Sequence, residues 1–272
     1  MTERPPIAGV CAAALTPIHP DRSPDLDRVV AHARHLLATG ADAINLLGST
    51  GEATSFGVAE RLAVMEAIAA SGLPLDRFMV GTGAAALSDA VRLTTAAVDL
   101  GFAGALVVPP FYFTGITDDG LLAYYTTLVE RVARPHLRLY LYHYPQLSGV
   151  PFSPELVRRL ADALPGVVAG VKDSSGVAAF ADGVVAACPE LAVFPSAETA
   201  LAEARERGYA GCISATFNVN APLAARVWNG TDPAARAADQ VALSAIRTTI
   251  TRYPLVPAVH HVSARLRRDE RL

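Results

Sequence analysis

Short, continuous apolar runs alternate with stretches in which apolar residues recur every three or four positions, and the alternation repeats along nearly the whole chain. The runs lie at 10–15, 43–47, 78–81, 105–108, 139–142, 167–171, 192–194 and 211–214. They are rich in β-branched residues or alanine, and most are too continuous for a sheet with one wet face. That is the pattern of parallel strands covered on both sides. Between them the spacing predicts helices. In the first, Leu26, Val29, Val30, Ala33, Leu36 and Leu37 fall on one stripe.

Helix boundaries are marked by capping chemistry. Ser23 is the expected N-cap of the first helix, Pro24 its first helical residue and Gly40 its stop. Ser153-Pro154-Glu155 opens another helix in the same way, and Pro165 bounds it. Ser88-Asp89, Thr117-Asp118-Asp119 and Ser196-Ala197-Glu198 offer further starts, and Gly101 and Gly208 further stops. The result is a βα unit repeated eight times, with three extra helices after about residue 220. Asp232-Pro233 would begin the second of these and Tyr253-Pro254 the third.

Eight such units close most simply into an α/β fold of the (β/α)8 TIM-barrel type with additional C-terminal helices. The expectation is a single domain over 1–272, with the barrel at about 7–219 and a helical extension at about 220–272. An open doubly wound sheet is the alternative. It calls for a glycine-rich phosphate loop after the first strand, and Leu15-Thr16-Pro17-Ile18-His19-Pro20 is not one.

Composition narrows the class. The 272 residues are 51% hydrophobic with a formal charge of −3, and the mean hydropathy is +0.31. A sizeable core can be buried, and neither a nucleic acid nor a membrane is the expected partner. Arg265, Arg267, Arg268 and Arg271 are interleaved with Asp269 and Glu270, the pattern of a solvated last helix. Cys11, Cys188 and Cys212 lack metal-like spacing and fit reduced thiols in a cytoplasm. Residues 1–6 do not begin a signal peptide, and no apolar run is long enough to span a bilayer.

One residue stands apart. Lys172 is the only lysine, against 22 arginines. It follows the apolar run 167–171 and precedes the turn-like Asp173-Ser174-Ser175-Gly176. Only an amine can deprotonate and attack a carbonyl near neutral pH; a guanidinium cannot. Lys172 is therefore a candidate Schiff-base nucleophile. The bland alternative is a lysine left over in an arginine-biased composition.

In a barrel of this type, active residues lie at strand C-termini. The second run ends in Gly48-Ser49-Thr50-Gly51-Glu52, a tight polar turn whose N–H groups and hydroxyls could hold a carboxylate. It could equally be an ordinary βα turn. The fourth run leads to Pro109-Pro110-Phe111-Tyr112, and the fifth to Tyr142-His143-Tyr144-Pro145. The Tyr142 phenol could shuttle a proton at a pocket mouth or be tied off in the core. His143 points to the opposite face by strand alternation and reads as structural. The eighth run leads into Ser214-Ala215-Thr216-Phe217-Asn218.

Together these motifs resemble the pyruvate-dependent class I aldolase family that includes dihydrodipicolinate synthase and N-acetylneuraminate lyase. Gly48-Ser49-Thr50-Gly51-Glu52, Tyr142-x-x-Pro145 and Gly170-Val171-Lys172-Asp173 occur in that family's order and spacing, and the resemblance runs from about Gly9 to the last helices. It implies that Lys172 forms an imine with a 2-oxo acid and that Tyr142 relays protons. Ser49, in place of the commoner threonine, and Thr50 would bind the carboxylate beside Gly48. Tyr112 matches a tyrosine that in several members reaches a neighbouring subunit's site, which implies a homodimer or homotetramer. No metal or organic cofactor is implied.

The departures bear on the second substrate. Dihydrodipicolinate synthases typically carry an arginine two residues beyond the fifth-strand proline. Leu147 stands there and cannot pair with a carboxylate. The wording Pro145-Gln146-Leu147-Ser148-Gly149 instead resembles the sialate lyase branch. That branch has an acidic pair after the seventh strand, where this chain has Glu198 alone. Leu147, Glu198 and Ser214 complete the candidate substrate-binding set. Phe111, Phe113, Tyr144, Leu147 and Phe217 predict an apolar pocket for a short or apolar aldehyde, with a 2-keto-3-deoxy sugar acid also open. The alternatives are a hydro-lyase on such a sugar acid, dihydrodipicolinate synthase proper, or a silent 2-oxo acid binder.

Overall fold

Eight parallel strands are wrapped by helices in the computed structural model, which describes residues 6–268. The strands are β1 Gly9–Ala13, β2 Ala43–Leu46, β3 Phe78–Gly81, β4 Gly104–Val107, β5 Leu139–His143, β6 Val168–Asp173, β7 Ala192–Pro195 and β8 Gly211–Ser214. The helices are α1 Leu26–Ala38, α2 Val58–Ala70, α3 Leu87–Leu100, α4 Asp118–Val132, the single turn α5 Pro145–Ser148, α6 Pro154–Ala163, α7 Ala178–Ala187, α8 Phe217–Asn229, α9 Pro233–Ile250 and α10 Leu255–Arg267. All eight predicted strands are present, each within two residues of its expected ends.

Ladders connect β7-β6-β5-β4-β3-β2-β1-β8 in that order, all parallel. The remaining seam is bridged by the Ala210 N–H, which donates to the Val193 carbonyl at 2.9 Å. The barrel is thus nearly closed. Strand alternation divides the core in two. Val10, Ile44, Phe78, Val80, Leu141, Val171 and Val193 face outward against the helices. Cys11, Ala13, Ala43, Met79, Leu106, Tyr140, Phe194 and Ile213 fill the barrel. Gly170 makes room for this plug: a side-chain carbon there would lie 2.2 Å from the Ala192 carbonyl oxygen and 2.9 Å from the Tyr140 ring.

Capping chemistry worked where no competing contact intervened. Thr117, Ser153 and Asp232 each accept a hydrogen bond from the first turn of their helix. At α1 the expectation fails. Ser23 is captured by Asp21, and Pro24 bridges to Ile18, so the cap passes to Asp25, which accepts from the Arg28 N–H at 3.1 Å. The stop of α1 is nonetheless as expected: Gly40, at φ +115°, directly follows the C-cap Thr39. At α3 the helix starts one residue before Ser88, with Ala86 as N-cap. The seventh βα unit carries a 3-10 helix, Glu198–Glu203, in place of an α-helix. α8 breaks its helical backbone at Asn220, two residues ahead of Pro222.

The C-terminal helices are tied to the barrel by buried polar contacts. Asn218 joins β1, β8 and α1: its Nδ2 donates to the Ala13 and Ala215 carbonyls, and its Oδ1 accepts from the Leu15 N–H and from His32 Nε2. Arg267 on α10 donates to His32 Nδ1 at 2.8 Å. That contact corrects the picture of a wholly solvated last helix, although Arg265 and Arg268 are exposed. Asp269, Glu270 and Arg271 lie outside the described residues, as do residues 1–5. Among the described residues no helix is long and apolar enough to cross a membrane.

Candidate active site

Lys172 is the fifth residue of β6, beside Tyr142 on β5 and Phe194 on β7. Alternation from Gly170, whose missing side chain faces the Tyr140 ring, turns Lys172 into the barrel. The residue is 3% exposed. Its Nζ lies 4.3 Å from the centroid of the Tyr142 ring. The following turn is braced from outside: the Asp173 carboxylate accepts from the Ser175 N–H at 2.9 Å, and Gln146 Nε2 donates to the Ser175 carbonyl at 2.7 Å.

Against Tyr142 opens a cavity of about 300 Å³, walled by Gly48, Ser49, Ala53, Thr54, Gly81, Gly83, Leu106, Val108, Phe111, Tyr142, Tyr144 and Leu147 among others. The Tyr142 hydroxyl and Ser49 Oγ are 3.2 Å apart, within reach of a shared hydrogen bond. Two anchors hold the polar loop and its neighbour. Thr16 Oγ1 donates to the Gly51 carbonyl at 2.8 Å. The buried Arg61 of α2 donates to the carbonyls of Gly81 and Gly83 at 2.9 and 3.1 Å. Burial lowers the Arg61 guanidinium to about 10. Burial also raises Tyr144, with the Tyr142 phenol adding to the rise and the Arg247 cation opposing it.

The predicted residues are brought together unevenly. Gly48, Ser49, Tyr142 and Leu147 wall the cavity, and Lys172, not itself part of the wall, packs against the Tyr142 ring. Thr50 is buried beside Ser49 but is not part of the wall. Tyr112 points away from the cavity of its own chain, 83% exposed with φ +88°. Its ring packs edge-on against Phe113, centroids 5.1 Å apart. Phe113 is 77% exposed and does not line the pocket, and Phe217 is sealed in the outer core. Both therefore depart from the apolar pocket expected, whereas Phe111, Tyr144 and Leu147 belong to it.

Glu198 and Ser214 require the largest correction. Glu198 is fully buried, and its carboxylate accepts from Ser214 Oγ at 2.7 Å, Thr216 Oγ1, Asn220 Nδ2 at 3.2 Å and Arg247 Nη1 at 3.3 Å. Arg247 Nη1 also donates to Ser214 Oγ at 2.9 Å. Such a saturated carboxylate has no lone pair left for a polyol. It locks α9 onto β8 instead. His143 faces outward as expected, stacked on Phe180 at 3.8 Å with Nδ1 accepting from the Phe152 N–H at 3.0 Å. Burial lowers it to about 4.

Arg247 lies 49 residues beyond Glu198 on another element, so nothing local in the sequence announced the pair. Asn45 did carry a signal, since it is the one polar residue in the apolar run 43–47.

Comparison with known proteins places this architecture. The model of the dihydrodipicolinate synthetase family matches residues 6–265. A DapA-like lyase of Chloroflexus aurantiacus, itself uncharacterised, is 35% identical over 256 residues, covering 92% of this chain and 84% of its own. The 4-hydroxy-tetrahydrodipicolinate synthase of Cellvibrio japonicus is 33% identical over 222 residues, 81% and 74% of the two chains. The crystal structure of dihydrodipicolinate synthase from Agrobacterium tumefaciens superposes with a TM-score of 0.86 at 31% identity, covering 94% of this chain and 88% of that one.

Proposed function

This chain belongs to the dihydrodipicolinate synthetase family of pyruvate-dependent lyases and aldolases, which make or break a carbon–carbon bond, and from that premise we propose that Lys172 carries the reaction. The observation that supports this is the placement of the chain's one lysine inside the barrel, Nζ 4.3 Å from the centroid of the Tyr142 ring, which walls a cavity together with the polar loop.

The Lys172 amine adds to the C2 keto carbon of pyruvate or another 2-oxo acid. Loss of water from the carbinolamine gives the protonated imine. That cation draws electron density from C3, so a C3 proton leaves and an enamine forms. C3 attacks the aldehyde carbon, the new carbon–carbon bond closes, and the aldehyde oxygen takes a proton. Water then hydrolyses the imine and returns the amine. The reverse sequence cleaves the bond. Tyr142 is the proton carrier in this scheme, since its hydroxyl shares the cavity wall with Ser49. Ser49, with Thr50 behind it, receives the carboxylate.

Leu147, Phe111 and Tyr144 surround the aldehyde end. Without a cation at position 147, the pocket suits a short or apolar aldehyde, or the neutral hydroxyls of a 2-keto-3-deoxy sugar acid, better than an anionic one. The exposed Tyr112–Phe113 pair supports assembly into a homodimer or homotetramer in which Tyr112 serves the neighbouring subunit's site. Three buried, unpaired thiols suit a reducing cytoplasm.

A panel of aldehydes incubated with pyruvate and read by mass spectrometry tests this reading. The expected product has the summed mass of pyruvate and one aldehyde. A product lighter by one water from a deoxy sugar acid alone would instead establish dehydration.

A further inference from the structure

Asn45 is fully buried, and neither its Oδ1 nor its Nδ2 has a hydrogen-bond partner among the described residues. A carboxamide in that state is costly to keep in an apolar barrel. Its place explains why it is there. Its ladder partners, Ala13 and Met79, both face the barrel interior, and Asn45 points the same way. Lys172 enters that interior from β6, four strands round from β2, so the two side chains project from opposite walls. In barrels of this kind alternate strands feed common side-chain layers.

The backbone beyond Asn45 brings the polar loop against the carboxamide. Leu47 takes a left-handed φ of 50°, which turns the chain at the end of β2. Gly48 is thereby folded over Asn45: a side-chain carbon on Gly48 would lie 2.5 Å from Asn45 Nδ2. Gly48 and Ser49 are cavity wall, so the amide, not itself part of that wall, sits against the polar loop that forms it.

We propose that Asn45 is a binding residue of the imine site, donating from Nδ2 to the carboxylate of the 2-oxo acid carried on Lys172. The inference rests on the imine reading above. The choice of side chain follows from charge. A guanidinium or ammonium at this depth would hold a carboxylate but would oppose the positive charge of the protonated imine. A carboxamide offers two N–H donors and no net charge. Its unpaired state in the free protein is matched to a ligand with a strong acceptor.

The test is a cycle between one protein change and one ligand change. Wild type and Asn45→Leu, a substitution of similar volume, are titrated with pyruvate and with its uncharged analogue pyruvamide. Imine is trapped with borohydride and the Lys172 peptide is quantified by mass spectrometry. Asn45→Leu is expected to raise the half-saturating pyruvate concentration about tenfold or more, and that of pyruvamide by less than about threefold. An equal change for both ketones would assign Asn45 a packing role, and no change with pyruvate would remove it from the site; either overturns the inference. A wild type that traps neither ketone would overturn the imine reading itself, and this inference with it. If Asn45→Leu does not fold, Asn45→Ala completes the same cycle.

Discussion

The face of the Tyr142 ring carries the Lys172 amine, Nζ standing 4.3 Å from the ring centroid, while the Tyr142 hydroxyl reaches on to Ser49 Oγ at 3.2 Å. One side chain thus has two separable jobs. The ring packs against the lysine, and the hydroxyl reaches Ser49, where the proposed scheme moves protons. Tyr142→Phe keeps the first and deletes the second. Turnover with pyruvate and a competent aldehyde is expected to fall roughly 10²–10⁴-fold, with little change in the pyruvate concentration needed for imine trapping. A rise in the Michaelis constant alone would make Tyr142 a binding group.

Glu198 and Arg247 give a prediction about stability. Arg247→Met leaves the Glu198 carboxylate buried without its cation and should cost about 3–5 kcal/mol, read from the urea midpoint. Adding Glu198→Gln removes the stranded charge and should recover part of that loss. Pyruvate trapping at Lys172 should be unchanged in every folded variant, because the pair holds α9 in place and neither residue is part of the cavity wall. A selective loss of substrate affinity in folded Glu198→Gln would return Glu198 to the binding site.

Acid should loosen the fold through two histidines. Burial lowers both His32 and His143 to about 4 from the usual 6.5. In the unfolded chain they take up protons as pH falls below about 6.5, whereas the folded chain resists until about 4. Their stabilisation is therefore complete above about 6.5 and declines as pH falls through that window, by up to roughly 3 kcal/mol for each. Protonation of His143 Nδ1 would also displace the Phe152 N–H. His143→Asn should flatten the dependence of the melting temperature between pH 6.5 and 4. An unchanged slope would place the acid sensitivity elsewhere.

Tyr112 yields a test of assembly. If its hydroxyl completes the neighbouring site, Tyr112→Phe and Lys172→Arg chains are each impaired alone. Unfolded together and refolded as a mixture, they should regain activity, since a mixed pair holds one site with a sound lysine from one chain and a sound tyrosine from the other. Failure to regain activity in mixed oligomers confirmed by native mass spectrometry would confine Tyr112 to its own chain.

The barrel was legible because its strands are buried on both faces, so each appears as an apolar run that no helix period imitates. Lys172 stood out as a candidate through rarity, and Ser49 and Tyr142 through their place at strand ends; the fold brings the three together. What escaped detection depends on contacts between distant segments. Ser23 has the right chemistry for a cap, but Asp21 binds it first and Asp25 takes its place. Glu198 has the right position for a substrate contact, but Arg247, far along the chain, consumes it. Phe217 reads as a pocket residue by proximity to Ser214, yet the start of α8 turns it into the outer core.

The decisive measurement is reduction of the protein with borohydride in the presence of pyruvate, followed by peptide mapping. Lys172 carries the only side-chain amine, so the map has one site to distinguish from the α-amino group. A single reductively coupled pyruvate on the Lys172 peptide, absent from Lys172→Arg, is the predicted result. An unmodified Lys172 peptide under conditions that label a known class I aldolase, or undiminished turnover by Lys172→Arg, would contradict it.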